Sequence, residues 1–214
     1  MALLTHIPGG PLPSADFLRR CLTMLPERGY ERALTGALSP SEQGAYVAAG
    51  FELAEPLRLL VIDLGRPLPA AAGLRLSRPR AGDRAAVLAL DAGAFDQFWR
   101  LDDTGLDDAL AATRRSRWRV ALPDGPGRSV CGYAICGRSG RTGFVQRLAV
   151  ADGHRGRGHG RALLVDGLAW MRRHGARRAL VNTQVGNERA LGLYRAVGFE
   201  EDPSGLAVMA ADLS

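Results

Sequence analysis

Between Arg155 and Arg161 the chain reads Arg-Gly-Arg-Gly-His-Gly-Arg, and no other stretch restricts the fold so much. An apolar run over 144–150 precedes it and an amphipathic run over 162–171 follows it. The order strand, glycine-rich turn, helix start is therefore predicted. Gly156, Gly158 and Gly160, at alternate positions, leave backbone N–H groups unshielded at the positive end of a helix dipole. Arg155, Arg157 and Arg161 add full charges around a turn that also holds His159. Such an arrangement binds a phosphate or a pyrophosphate.

Two familiar phosphate loops fail to fit. A dinucleotide fingerprint needs Gly-x-Gly-x-x-Gly, but counted from Gly156 the sixth position is Arg161, and counted from Gly158 it is Leu163. A P-loop needs Gly-Lys-Ser/Thr, and the sequence contains no lysine. Arg-x-x-Gly-x-Gly does fit, on Arg155, Gly158 and Gly160, and resembles the acetyl-coenzyme A pyrophosphate loop of the GNAT superfamily of N-acetyltransferases. Downstream, Asn187, Ala190, Leu193, Tyr194, Gly198 and Phe199 resemble the same family's Asn-x-x-Ala-x-x-Leu-Tyr-x-x-x-Gly-Phe segment. The residues alone agree with that reading. Asn187 is a suitable helix N-cap, and Ala190, Leu193, Tyr194 and Val197 share one helical face. Gly198 suits the left-handed residue that ends a helix.

The resemblance covers residues 73–214 and implies a GNAT fold, an α/β arrangement with a mixed, mostly antiparallel sheet flanked by helices. It implies acetyl-CoA as co-substrate, an amine as acceptor and no metal. Backbone groups of Leu148, Ala149 and Val150 would hydrogen-bond the pantetheine arm, one N–H polarising the thioester carbonyl. The loop Arg155, Gly156, Arg157, Gly158, His159, Gly160 and Arg161 would hold the pyrophosphate. Asn187 would sit near the pantetheine, and Tyr194 would contact the cofactor and protonate the departing thiolate as general acid. Many relatives carry a glutamate two residues before Leu148; here that residue is Gln146, which cannot take a proton. Asp152, His154, Asp102 and Asp103 are the remaining base candidates, each also suited to a solvated loop or a helix cap.

Coarse elements follow from pattern and turn residues. Residues 73–77 read as a short first strand, 81–95 and 105–114 as helices, and 118–122 with 129–136 as a hairpin across 124–128. Strands follow at 142–150 and 179–185, and two terminal strands at 199–202 and 206–211. The first 64 residues read as a second, partial copy of the C-terminal half, because 27–34 aligns with 173–180 and Tyr46 to Glu52 with Tyr194 to Glu200. Ser39 stands where Asn187 stands, and residues 7–14 lack the arginine and alternating glycines of the phosphate loop. The segment resembles the degenerate half of tandem GNAT proteins, with no cofactor site; residues 65–72 read as the linker.

Composition narrows the alternatives. The 214 residues suffice for one large or two small domains. The chain has no apolar run long enough to span a membrane and opens without the basic and apolar regions of a secretory signal. Cys21, Cys131 and Cys136 are odd in number and lack metal-ligand spacing, as do His6, His154, His159 and His174. A reducing cytoplasm is the expected location. The net charge of +6 is carried by scattered arginines with few aromatics, which disfavours nucleic-acid binding. A direct-transfer N-acetyltransferase acting on a small amine or a peptide N-terminus leads; a non-catalytic acyl-CoA sensor is the alternative, and either is compatible with a homodimer.

Overall fold

The computed structural model describes residues 1–5, 10–70, 73–125 and 128–213. In chain order its elements are β1 (Ala2–Leu4), α1 (Ala15–Met24), β2 (Arg32–Thr35), α2 (Pro40–Ala48), β3 (Glu52–Asp63), β4 (Leu76–Ser77), α3 (Asp83–Ala94) and α4 (Asp103–Ala111). They continue as β5 (Arg115–Ala121), β6 (Gly132–Ser139), β7 (Thr142–Val150), α5 (His159–Arg173), β8 (Arg178–Gln184), α6 (Glu188–Val197) and β9 (Glu200–Asp212). The fold is mixed α/β, as the sequence predicts. One compact unit gathers Met1–Leu59, Asn182–Glu188 and Glu201–Ser214; the other gathers Leu60–Val181 and Arg189–Glu200.

In the second unit the strands follow the order β3-β8-β7-β6-β5-β4. The ladders from β4 to β7 are antiparallel, and β7 runs parallel to β8. Alternation along β6 decides what each face buries. Tyr133 and Ile135 join Val87 of α3, Leu106 of α4, and Val120 and Ala149. Cys136 faces the other way, into Leu164, Leu168 and Met171 of α5. Leu164 and Leu168 are completely buried, and truncating either to alanine would cost roughly 2–5 kcal/mol. The helix lies so close to the sheet that a Cβ on Gly167 would stand 2.4 Å from the Cys136 sulfur. Arg117 of β5 ties the same helix down, donating to both oxygens of Asp166 at 2.7 Å.

The first unit has the order β1-β2-β9-β3, parallel between β1 and β2 and antiparallel between β2 and β9. Ser14 caps α1 through the Phe17 N–H, and the Glu42 carboxylate accepts the Ser39 N–H at 2.7 Å where α2 begins. Leu18, Ala33, Tyr46, Phe51 and Met209 form the core. The ends of α2 and α6 share one chemistry. Gly50 and Gly198 take φ of +95° and +106°, and the N–H groups of Phe51 and Phe199 return to the carbonyls of Tyr46 and Tyr194, each at 3.0 Å. In each case the phenylalanine ring packs on that tyrosine, at 5.3 and 5.6 Å between centroids.

Three expectations change. The two terminal strands are one continuous strand, β9. Asp202 to Gly205, which read as a turn, is carried inside it: Asp202 accepts both the N–H and the hydroxyl of Ser204, and Gly205 takes φ +58°. A local kink of this kind bends a strand without ending it. The first strand of the C-terminal part shrinks from 73–77 to Leu76–Ser77, because only those two residues pair with β5. The hairpin strand β5 begins at Arg115, three residues before the predicted start. Residues 7–9 of the N-terminal loop, 71–72 of the linker and 126–127 of the hairpin turn lie outside the described residues.

Candidate functional site

The glycine-rich turn lies between β7 and α5, as its sequence demands. After a 3-10 turn over Asp152–His154, Gly156 and Gly158 take φ of +74° and +85°. That left-handed region costs an ordinary L-residue about 1–2 kcal/mol, so glycine is required at both. Gly158 is the N-cap of α5, and no side chain caps the helix there. The N–H groups of His159, Gly160 and Arg161 therefore point out of the first turn without intrahelical partners, at the positive end of the dipole. Gly160 is crowded for a different reason: a Cβ there would stand 3.3 Å from the end of the Leu193 side chain of α6, so that side chain would have to give way.

The basic residues around the turn divide by role. Arg155 folds back, donating from Nε to the Val150 carbonyl at 3.2 Å and pairing with Asp152. Arg161 donates to the Ala70 carbonyl at 2.9 Å. Arg157 is exposed. His159 is buried; its Nδ1 has no partner among the described residues, and its ring lies 6.1 Å from that of His154. Burial first, and His154 second, hold its pKa below the ordinary histidine value.

Leu148, Ala149 and Val150 occupy the last part of β7. The parallel ladder with β8 runs from Thr142 opposite Arg178 to Phe144 opposite Leu180, whereas β7 continues to Val150. Its ladder with β6 shifts register at the same place: Cys136 pairs with Val145 and Ile135 with Arg147, leaving Gln146 as an extra residue. The bulge puts Gln146 and Arg147 on one face. Gln146 approaches Gly137, whose absent side chain leaves the space it shares with Thr113, and its buried Oε1 has no partner among the described residues. Arg147 meets Asp91 of α3, while Val145 and Leu148 both pack on the α5 side.

Sequence reasoning missed this polar network. Asp91 is fully buried and accepts from Arg147 at 2.8 and 2.9 Å, from the Leu101 N–H at 2.7 Å and from the Tyr133 hydroxyl. The Arg147 guanidinium also lies over the Phe95 ring, 3.4 Å from its centre, and donates to the Trp99 carbonyl. A lone arginine inside an apolar strand was the signal that could have revealed it.

Tyr194 stands on α6 with its ring in the core shared by α5 and Phe199. Burial, reinforced by the Cys136 thiol, raises its pKa well above that of a free tyrosine, so its hydroxyl stays protonated at neutral pH. Asn187 immediately precedes α6, its N–H donating to the Gln184 carbonyl at 3.1 Å. Of the base candidates, Asp102 accepts the Gly105 N–H at 2.7 Å as the N-cap of α4, Asp103 pairs with Arg84, and Asp152 pairs with Arg155. All three cysteines are free thiols. Among the described residues no cluster of His, Cys, Asp or Glu could hold a metal ion, and no helix is long and apolar enough to cross a membrane.

Residues 86–199 match the model of the acetyltransferase (GNAT) family. The mycothiol acetyltransferase of Renibacterium salmoninarum is 28% identical over 197 residues, covering 80% of this chain and 56% of that protein. The chain thus spans little more than half the length of that curated relative. Among solved structures, a tandem GNAT protein from the clavulanic acid biosynthesis pathway superposes with a TM-score of 0.66 at 16% identity, over 93% of this chain and 69% of that one. A GCN5-related N-acetyltransferase from Sphaerobacter thermophilus does so with a TM-score of 0.59 at 20% identity, over 85% and 60%. At these identities the structures speak for the fold alone.

Proposed function

We infer that the chain, which belongs to the GNAT family of acetyltransferases, transfers the acetyl group of acetyl-CoA to a primary amine of a small molecule or of a peptide or protein N-terminus. The observation that carries this reading is the uncapped start of α5, where Gly156 and Gly158 in left-handed conformations leave backbone N–H groups directed outward among arginines. Those amides, from Gly156 to Arg161, would hold the pyrophosphate. Backbone groups of Leu148, Ala149 and Val150, beyond the end of the β7–β8 ladder, would hold the pantetheine arm. Asn187 would serve the same arm.

The deprotonated amine attacks the acetyl carbon, and the carbon–sulfur bond breaks without a covalent enzyme intermediate. Tyr194, a hydroxyl that keeps its proton at neutral pH, gives that proton to the leaving thiolate. Gln146 takes no proton, so the amine loses its own to water or to a carboxylate elsewhere. The likeness to a mycothiol acetyltransferase supports the acetyl-transfer reading.

We assign residues 73–214 to the catalytic domain, 65–72 to a linker and 1–64 to a degenerate half-repeat without a cofactor loop. The matched helix ends at Tyr46–Phe51 and Tyr194–Phe199 support the repeat. Three free thiols suit a reducing cytoplasm. Calorimetry with acetyl-CoA tests the assignment: saturable binding is expected, abolished by Gly158→Asp with Gly160→Asp. Absence of binding in the unsubstituted protein overturns it.

Gln146 favours a second reading, a non-catalytic acyl-CoA sensor. Acetyl-CoA binding without CoA release across a panel of amines and peptides would decide for it.

A further inference from the structure

The outer edge of β5, within the second unit, is open over most of its length. β4 pairs only with Val120 and Ala121, so Arg115 to Arg119 have β6 on one side and, among the described residues, no strand on the other. The Leu122 N–H donates outward to the Arg75 carbonyl at 2.9 Å. Backbone groups alternate in direction along a strand, so those of Trp118 and Ser116 point to the same outer edge. The Trp118 carbonyl is taken by the Arg119 guanidinium at 3.0 Å. The Trp118 N–H and both backbone groups of Ser116 are left for water or another chain. Side chains along this edge repeat one charge. Arg115, Arg117 and Arg119 hold alternate positions, about 7 Å apart, on the face from which Arg117 reaches Asp166 of α5. That carboxylate is already committed: Arg117 donates to both its oxygens at 2.7 Å, and Arg119 lies 3.9 Å away. Burial first and Arg117 next hold the Arg119 pKa below the usual guanidinium value, with Asp166 opposing and Arg78 adding to the depression. The Arg78 and Arg115 side chains form no ion pair among the described residues. Arg115 also stands directly opposite Arg138 of β6, a like-charge pairing that weakens a sheet.

We propose that the outer edge of β5 docks an extended acidic peptide, which adds to the sheet through Ser116 and Trp118 and sets carboxylates at alternate positions against Arg115 and Arg119. Main-chain bonds to a sheet edge supply affinity, and side chains at every second position supply selectivity. Charges on an edge strand ordinarily keep other chains away. Here all of one face has one sign, so a basic or neutral strand is refused while an acidic one gains cross-strand pairs. A peptide fits this edge better than a nucleic acid does. Trp118 packs with the core on the α3 and α4 side, the face opposite the arginines, so it offers no ring between basic residues for a base to stack on. The proposal stands independently of the acetyl-transfer reading.

The probe is a peptide of alternating glutamate and valine, capped at both ends, with its lysine–valine counterpart and a single-stranded oligothymidylate as comparisons. Titrated into the full chain, the acidic peptide is expected to bind saturably and to slow hydrogen exchange at the Ser116 and Trp118 amides, the signature of an added strand. Arg115→Gln with Arg119→Gln should weaken binding about tenfold, the size of two lost cross-strand charge pairs, and leave acetyl-CoA affinity unchanged. Ser116→Pro removes an N–H that points away from β6, so the β5–β6 ladder survives while the added protection at Trp118 should vanish. Should that variant fail to fold, the arginine pair, on a partly exposed surface, still judges the proposal. Absence of binding, equal binding of the lysine peptide, unprotected amides at Ser116 and Trp118, or full affinity in the double arginine variant would each overturn it. Tighter binding of the oligothymidylate would overturn it in favour of a nucleic-acid surface.

Discussion

Arg147 of β7 donates to both carboxylate oxygens of Asp91 on α3, at 2.8 and 2.9 Å, and Asp91 has no exposed surface. Removing one partner leaves an uncompensated buried charge, which costs roughly 3–5 kcal/mol. Arg147→Met and Asp91→Leu are each expected to destabilise by about that amount. The double substitution Asp91→Leu with Arg147→Met should recover much of the loss, because no charge is then stranded. Urea denaturation of the four proteins measures the coupling, and simple additivity would show that the pair is not a unit.

Tyr194 gives a prediction that separates chemistry from binding. Its hydroxyl keeps its proton because burial opposes the phenolate. Tyr194→Phe should lower kcat on the order of 10²-fold, the lower range for a lost general acid. Acetyl-CoA affinity should hold within a factor of about two, since the deleted oxygen serves the leaving group. Acetyl-CoA titration alongside CoA-release rates reads both, and an unchanged kcat would remove Tyr194 from the mechanism.

At Gly158 the prediction concerns the backbone. With φ at +85° and only ordinary contact to Leu74 awaiting a Cβ, Gly158→Ala should destabilise by about 1–2 kcal/mol through strain alone. It should also weaken acetyl-CoA binding by re-aiming the first amides of α5. Gly153, in the preceding turn with open space around it and no positive φ, is the control: Gly153→Ala should change neither thermal midpoint nor affinity appreciably. Equal responses at the two positions would show that the left-handed conformation at Gly158 does not matter.

Local chemistry made the turn and its helices legible. Alternating glycines, the amphipathic run over 162–171 and a tyrosine spaced from a Gly-Phe stop are signals within one element, and β7, α5 and α6 appear where they point. Relations that arise only when elements meet were hidden. Nothing in the order of residues 144–150 says that Gln146 is an extra residue, because a bulge is defined by the partner strand. Asp91 carries no local mark as the centre of a network, because Tyr133 and Arg147 reach it from strands 42 and 56 residues away. The continuity of β9 through Pro203 was concealed by local turn chemistry that the sheet overrides.

His159 ties stability to pH at the candidate cofactor loop. Burial, and then His154, hold its folded-state pKa below the ordinary value of 6.5, with Asp124 opposing and Arg157 adding to the depression. Above that ordinary value the ring is neutral in both folded and unfolded chains and contributes no pH dependence. As pH falls through 6.5 the unfolded chain takes up a proton that the folded chain does not, so the folded state loses ground. The loss stops growing once pH drops below the depressed folded value. Denaturation midpoints from about pH 8 to about pH 5 should therefore fall across the histidine range before any carboxylate titrates. His159→Asn should flatten that segment of the curve. A slope unchanged by the substitution would assign the proton to another group.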